Sequence, residues 1–109
     1  MNYKVETIDV FERRVKPLIK KYPSLKRELA LLIDVLEKKP QNGIPIGNNC
    51  YKIRLAIASK GKGKSGGARI ITTIVISKQT VYLLTIYDKS EKENLSDTEL
   101  GNLLKNIPH

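Results

Sequence analysis

Residues 50–87, CYKIRLAIASKGKGKSGGARIITTIVISKQTVYLLTIY, carry the pattern that decides the fold. Tyr51, Ile53, Leu55 and Ile57 alternate with Lys52, Arg54, Ala56 and Ala58. Successive side chains of a strand point to opposite faces, so the alternation predicts one face turned to a core and a second face carrying Lys52 and Arg54. Residues 68–77 (ARIITTIVIS) and 81–87 (VYLLTIY) are rich in β-branched and aromatic side chains and read as two further strands. The short link Ser77–Thr80 makes them a hairpin. Residues 60–67, KGKGKSGG, read as a flexible basic loop between the first strand and the hairpin.

Upstream of this block the period changes from two to near four. Phe11, Val15, Leu18 and Tyr22 share one helical face, with Pro17 inside the segment removing a backbone donor. That spacing predicts a kinked or short helix ending before Pro23. Leu25, Leu29, Leu32 and Leu36 form the apolar stripe of a second helix, with Ser24 as its expected cap and Pro40 closing it. Lys4–Asp9 reads as a short strand, and residues 40–49, PQNGIPIGNN, as a loop. Downstream, Ser96 and Glu99 have the spacing of a capping box, with Leu95 and Leu100 as a hydrophobic staple, and Leu100, Leu103, Leu104 and Ile107 supply an apolar helical face. The order β-α-α-β-β-β-α argues an α+β domain over residues 1–109: a small, mostly antiparallel β-sheet with two N-terminal helices packed on one face and a C-terminal helix.

The charge is unevenly placed. The chain has 20 basic and 11 acidic residues, a formal net charge of +9. No Asp or Glu occurs from Lys38 through Tyr87, and the nine basic residues of that window, Lys38, Lys39, Lys52, Arg54, Lys60, Lys62, Lys64, Arg69 and Lys78, equal the whole excess. Surfaces ordinarily mix the signs, so a one-sign segment of this length implies an anionic partner, of which nucleic acid is the commonest. One cysteine, Cys50, makes no disulfide and fits a reducing, cytoplasmic location; the bland reading of it is a small, half-buried side chain. The N-terminus has no apolar run of signal length, and no stretch approaches a membrane span, so no membrane partner is expected.

Several chemistries are set aside. The one histidine is His109, which ends the chain and reads as non-functional, and no Cys/His cluster suits zinc. The same shortage excludes a Ser-His-Asp triad. GKGKSGG departs from a nucleoside-triphosphate loop, because the glycine that opens that motif is missing upstream of Lys64. No cofactor is expected. What remains is Lys52, Arg54, Arg69 and the loop lysines Lys60, Lys62 and Lys64, followed by Lys89 and Lys92 after the last strand. Such a set suits cleavage of RNA, in which the ribose 2′-hydroxyl is the nucleophile. The protein then has to align it, take its proton, hold the charged phosphorane and protonate the leaving oxygen. Arginine forks match phosphate oxygens. Lysine is a poor base at its ordinary pKa of about 10.4. A second cation about 4 Å away costs roughly 4 kcal/mol at an effective dielectric of 20, or about three pKa units. A crowded Lys52 therefore serves only marginally, which predicts a poor enzyme on naked RNA that needs a host particle to position its substrate. The same residues also suit a basic surface that binds RNA without cutting it.

The segments CYKIRLAIASKGKGKSGGARIITTIV and VYLLTIYDKSEKENLS resemble the RelE/ParE superfamily of bacterial toxins, and within it the HigB-type branch, through the KGKGK-x-GG-x-RII run and the YLLTIY-x-K ending. The resemblance covers roughly Cys50–Ser96; the N-terminal helices match in character and order. It implies a RelE fold and a type II toxin–antitoxin system. It also implies cleavage of messenger RNA in the A site of the 70S ribosome, and neutralisation by a cognate antitoxin, expected to be a helix-turn-helix protein. Lys52 matches the first site lysine of that family, its proposed base, and Arg54 stands where RelE has a second lysine. Arg69 matches the arginine that stabilises the phosphate transition state, and Lys89 falls where RelE has another catalytic arginine. Leu95 falls on the tyrosine that stacks on a substrate base, so that group is missing; Tyr87 is the nearest substitute, although it reads first as core. Lys60, Lys62, Lys64 and Lys92 are the expected RNA-binding residues. Two other functions suit the same fold: a ParE-like poison of DNA gyrase, and a non-catalytic RNA-binding module.

Overall fold

The computed structural model describes residues 2–61, 66–92 and 94–108. Its elements run β1 (Lys4–Thr7), α1 (Asp9–Lys21), α2 (Leu25–Lys38), β2 (Ile44–Gly47), β3 (Cys50–Leu55), β4 (Ala68–Val75), β5 (Thr80–Asp88) and α3 (Asp97–Leu104), with short 3₁₀ turns at Ala58–Lys60 and Ile76–Lys78. The five strands lie in the order β1-β5-β4-β3-β2, and only the β1–β5 pair is parallel. The α+β class and the mostly antiparallel sheet follow the reading of the sequence.

The alternation in β3 sorts the sheet's two faces. Ile53 is buried with Ile70, Leu83 and Ile86 against Phe11, Val15 and Leu18 of α1 and the Leu25, Leu29, Leu32 and Leu36 stripe of α2. On the opposite face Cys50, Ile71, Tyr82, Leu84 and Tyr87 pack with Leu100 and Leu103 of α3. Helices therefore cover both faces, and α3 covers part of the face that carries the basic side chains. The α3 N-terminus has the capping box read from sequence: the Glu99 N–H donates to Ser96 Oγ at 3.1 Å and the Ser96 N–H to Glu99 Oε1 at 3.2 Å. Leu32 is 7% exposed in the first cluster. Leu32→Ala is expected to cost about 2–5 kcal/mol, the price of a leucine-sized cavity, read as a lowered denaturant midpoint with unchanged slope.

Two local expectations need correction. Residues 40–49 are not all loop, because Ile44–Gly47 forms β2 and pairs with β3. The prolines and glycines that suggested a loop are compatible with an edge strand, where Pro45 removes a donor at little cost. The turn that makes this hairpin is Asn48–Asn49, both at positive φ (55° and 58°), a conformation that asparagine tolerates and tight hairpins require. Second, Ser24 occupies the N-cap position of α2 without capping it. Its Oγ accepts the Ser59 N–H at 2.9 Å, while Glu28 Oε2 accepts the Ala58 N–H at 2.8 Å. The start of α2 thus holds the 3₁₀ turn that follows β3, which ends the strand at Leu55 rather than Ala58. The first helix ends before Pro23 as expected, and α1 continues through Pro17 for 13 residues. Pro17 is exposed, so water can meet the carbonyl that its ring leaves without a partner.

Candidate nucleic-acid interface

Strand register places the basic side chains. Arg54 lies opposite Arg69, and Arg69 lies opposite Tyr87, so the three form one row across β3, β4 and β5. Residues directly opposite in such a row have Cβ atoms about 5 Å apart, and a diagonal neighbour two residues along lies about 7–8 Å away. Lys52 is that diagonal neighbour of Arg69, since it pairs with Ile71. Lys52, Arg54 and Arg69 therefore share the face opposite α1 and α2. Their exposure is graded: Arg54 is exposed, Lys52 is half-buried and Arg69 is only 4% exposed. Arg69 Nη1 donates to the carbonyl of Ala68 at 3.1 Å.

Tyr87 closes the row. It is buried with the α3 cluster, and its hydroxyl has no hydrogen-bond partner among the described residues. Burial pushes this phenol up, the charge of Arg69 pulls it down in part, and Glu99 adds to the rise. The expectation that Tyr87 is core is correct as to its ring. Among the described residues its hydroxyl is nonetheless an unsatisfied polar atom, in the position next to Arg69, and no sequence signal announced it.

The remaining cations are held in different ways. Lys60 is not a free loop lysine. Its Nζ forms an ion pair with Asp88, the side chains being 9% and 0% exposed, and lies 5.7 Å from the centre of the Tyr22 ring. Asp88 also accepts from Tyr22 Oη at 2.7 Å and from the N–H and Oγ of Ser90 at 2.9 and 2.8 Å. Burial alone opposes ionisation of this carboxyl, but the bonds from Lys60, Tyr22 and Ser90 outweigh it and hold the group well below the usual carboxylate range. The Tyr22 hydroxyl is pushed up, first by that bond and then by burial. Lys92 pairs with Glu99 of α3, and its Nζ is 6.0 Å from the centre of the Tyr87 ring. Glu99 is correspondingly lowered, chiefly by Lys92. Lys89 is half-buried and its N–H donates to the Gly67 carbonyl at 3.0 Å. Lys62, Lys64 and His109 lie outside the described residues.

Gly67 explains how the loop re-enters the sheet beside this row. A Cβ there would meet the Leu55 carbonyl oxygen at 2.0 Å, so only glycine lets the chain pass between the end of β3 and Lys89. That passage sets where β4 begins, and so where Arg69 sits. The acid-free window ends at Asp88, whose side chain bonds Tyr22 and so lies on the α1 and α2 side of the sheet. The basic face is thereby kept clear of the one nearby carboxylate in β5.

Residues 20–107 match the family model described as the RelE toxin of the RelE / RelB toxin-antitoxin system. The fold is similar to that of a doubly substituted E. coli RelE toxin in the free state, with a TM-score of 0.62 and 17% identity over 99% of this chain and 100% of that one. It is also similar to the isolated E. coli RelE toxin, with a TM-score of 0.56 and 18% identity over 96% of this chain and 99% of that one. The family model spans most of the sequence, including both strands that carry the arginine row and the α3 region: the chain belongs to the RelE toxin family.

Proposed function

We propose that this toxin is a ribosome-dependent endoribonuclease that cuts messenger RNA in the A site. The observation that carries the reading is the Arg54–Arg69 cross-strand row, with Lys52 on the same face, inside a segment that contains no acid from Lys38 through Tyr87. Two guanidinium groups from neighbouring strands suit the non-bridging oxygens of one phosphate. Arg69, nearly water-free, is the group whose charge is screened least, so it acts most strongly on the phosphorane as negative charge builds. Lys52 takes the proton of the 2′-hydroxyl, whose oxygen attacks the adjacent phosphorus as the bond to the 5′-oxygen breaks. The products are a 2′,3′-cyclic phosphate and, once the leaving 5′-oxygen has taken a proton from water, a 5′-hydroxyl. Lys89, beside the Gly67 turn, adds charge at the leaving side, while the loop cations and Lys92 contact flanking phosphates. Lys60 reaches RNA only by leaving Asp88, so its contribution is to fix the loop.

Primer extension on translating ribosomes tests this directly. The expected result is new 5′ ends inside codons occupying the A site, absent when the same message is offered without ribosomes. Gyrase-dependent DNA breaks with intact messages would overturn the reading in favour of a gyrase poison, and ribosome binding without cuts would leave an RNA-binding module.

A further inference from the structure

β1 stops pairing with β5 at Leu83, so the outer edge of β5 from Leu84 onward is flanked by α1 on one face of the sheet and by α3 on the other. Two open cavities lie along that edge, of about 450 Å³ and about 510 Å³, and Arg13 and Arg14 of α1 line both. The first takes in Thr85 and, from the α3 side, Leu95, Asn102, Leu103 and Asn106. The second runs past Ile86 and Tyr87 to Lys21. Lys52, Arg54 and Arg69 line neither.

We propose that the first cavity binds a nucleoside monophosphate, with its phosphate between Arg13 and Arg14 and its base against Val10, Leu95 and Leu103. This goes beyond the nuclease reading and does not rest on it. Charge calls for an anion. Arg13 and Arg14 are exposed and have no ion-pair partner among the described residues. Successive residues of a helix diverge by about 100°, so the two guanidinium groups reach a phosphate lodged between the cavities from two sides. The one acid of the first cavity, Glu99, is engaged by Lys92 and by the Ser96 N–H, so it does not neutralise the arginines.

The interior calls for more than an anion. Thr85 pairs with Ile71, whose side chain belongs to the α3 cluster, so its hydroxyl lies on the α3 side of the sheet. Thr85 is 0% exposed, and its Oγ1 has no hydrogen-bond partner among the described residues. Buried hydroxyls are ordinarily satisfied, and a ribose hydroxyl or a ring nitrogen in the cavity would satisfy this one. Asn106 Nδ2 donates to the Asn102 carbonyl at 3.1 Å, which leaves Asn106 Oδ1 and the Asn102 side-chain amide to meet the edge of a base. Val10, Leu95 and Leu103 supply apolar walls for a flat ring. Apolar walls with a few polar groups, in a volume of about 300–1,000 Å³, are the usual make-up of a small-molecule site. Bare phosphate would leave the walls and Thr85 unused, and an uncharged nucleoside would leave the arginines unused.

Titration of isotopically labelled toxin with AMP, GMP, CMP and UMP at low salt, followed by amide NMR, tests the proposal, with inorganic phosphate and the matching nucleosides run beside them. The expected result is saturable shifts at residues 10–14, 85 and 95–106 for at least one monophosphate. Its Kd should lie below about 1 mM and be about tenfold or more tighter than for phosphate or nucleoside alone. Arg13→Ala with Arg14→Ala should weaken that binding by about tenfold or more. Thr85→Val keeps the shape and removes the hydroxyl. It should weaken binding by about fivefold while the melting temperature of the free toxin holds or rises, because no partner is left unpaired. This second variant carries the test if the arginine pair proves necessary for folding. Phosphate that binds as well as every nucleotide reveals an anion site only. Shifts confined to the Lys52, Arg54 and Arg69 face put the ligand on the basic row, and a short RNA oligonucleotide that shifts the cavity residues at far lower concentration assigns the cavity to a polymer. Each of these overturns the proposal, as does wild-type affinity in either folded variant or the lack of any saturable shift.

Discussion

Arg69→Ala is expected to lower A-site cleavage by about 10²–10³-fold or more, the usual loss when a preorganised donor to a developing oxyanion is removed. The loss belongs in kcat rather than in ribosome affinity, because the long-range attraction comes from the exposed cations and Arg69 is 4% exposed. That burial also complicates the simplest reading of the variant. In the structure Arg69 is nearly buried in the row between Arg54 and Tyr87, so its deletion leaves a gap there. Arg69→Lys separates the two effects, since it keeps the charge and much of the volume and loses the fork. Thermal melts should show Arg69→Lys close to wild type, while single-turnover cleavage on programmed ribosomes remains strongly reduced. A fully active Arg69→Ala protein would remove the basis of the proposed mechanism.

The largest stability effect is expected at Asp88. Asp88→Ala leaves Lys60 as a nearly buried cation without its partner and strips the Tyr22 hydroxyl of its acceptor. Breaking one side of a buried pair costs about 3–5 kcal/mol, which for a domain of this size is a large part of the total. Acid should act in the same direction. Asp88 is depressed in the folded state, so its contribution is complete above the ordinary carboxylate pKa of about 4 and is lost as pH falls below it towards the folded value. Chemical denaturation of the wild type between pH 6 and pH 2 should therefore show a steep acid loss, and Asp88→Ala a shallower one. Equal pH slopes in the two proteins would mean that this carboxyl is not what makes the fold acid-sensitive.

Most of the architecture was legible because it rests on short-range periodicity. The i, i+4 leucines of α2, the period-two alternation of β3 and the capping box at Ser96 each state a local geometry that tertiary packing then uses. What escaped was set by contacts between distant residues. β2 was hidden because its proline and glycines carry loop signals, and only pairing with β3 makes it a strand. Ser24 was read as a cap because the local pattern allows it, whereas Ser59, 35 residues away, takes its hydroxyl. The site divided along the same line. Lys52, Arg54 and Arg69 fell on one face because strand alternation is a local rule. Lys60 was assigned to RNA because nothing within several residues of it is acidic. Its partner is Asp88, 28 positions on, the first acid after the basic window.

The anchoring of the glycine-rich segment has a consequence for how such a toxin can diversify. One end is tied where Lys60 meets Asp88, and the other where Gly67 passes under Leu55 and accepts from Lys89. With both ends clamped by the scaffold, the span between them closes the same gap whatever its length, and doubling a flexible loop adds only about 0.6 kcal/mol of closure entropy. Insertions there can change the surface that the segment presents to a partner while the arginine row stays in register.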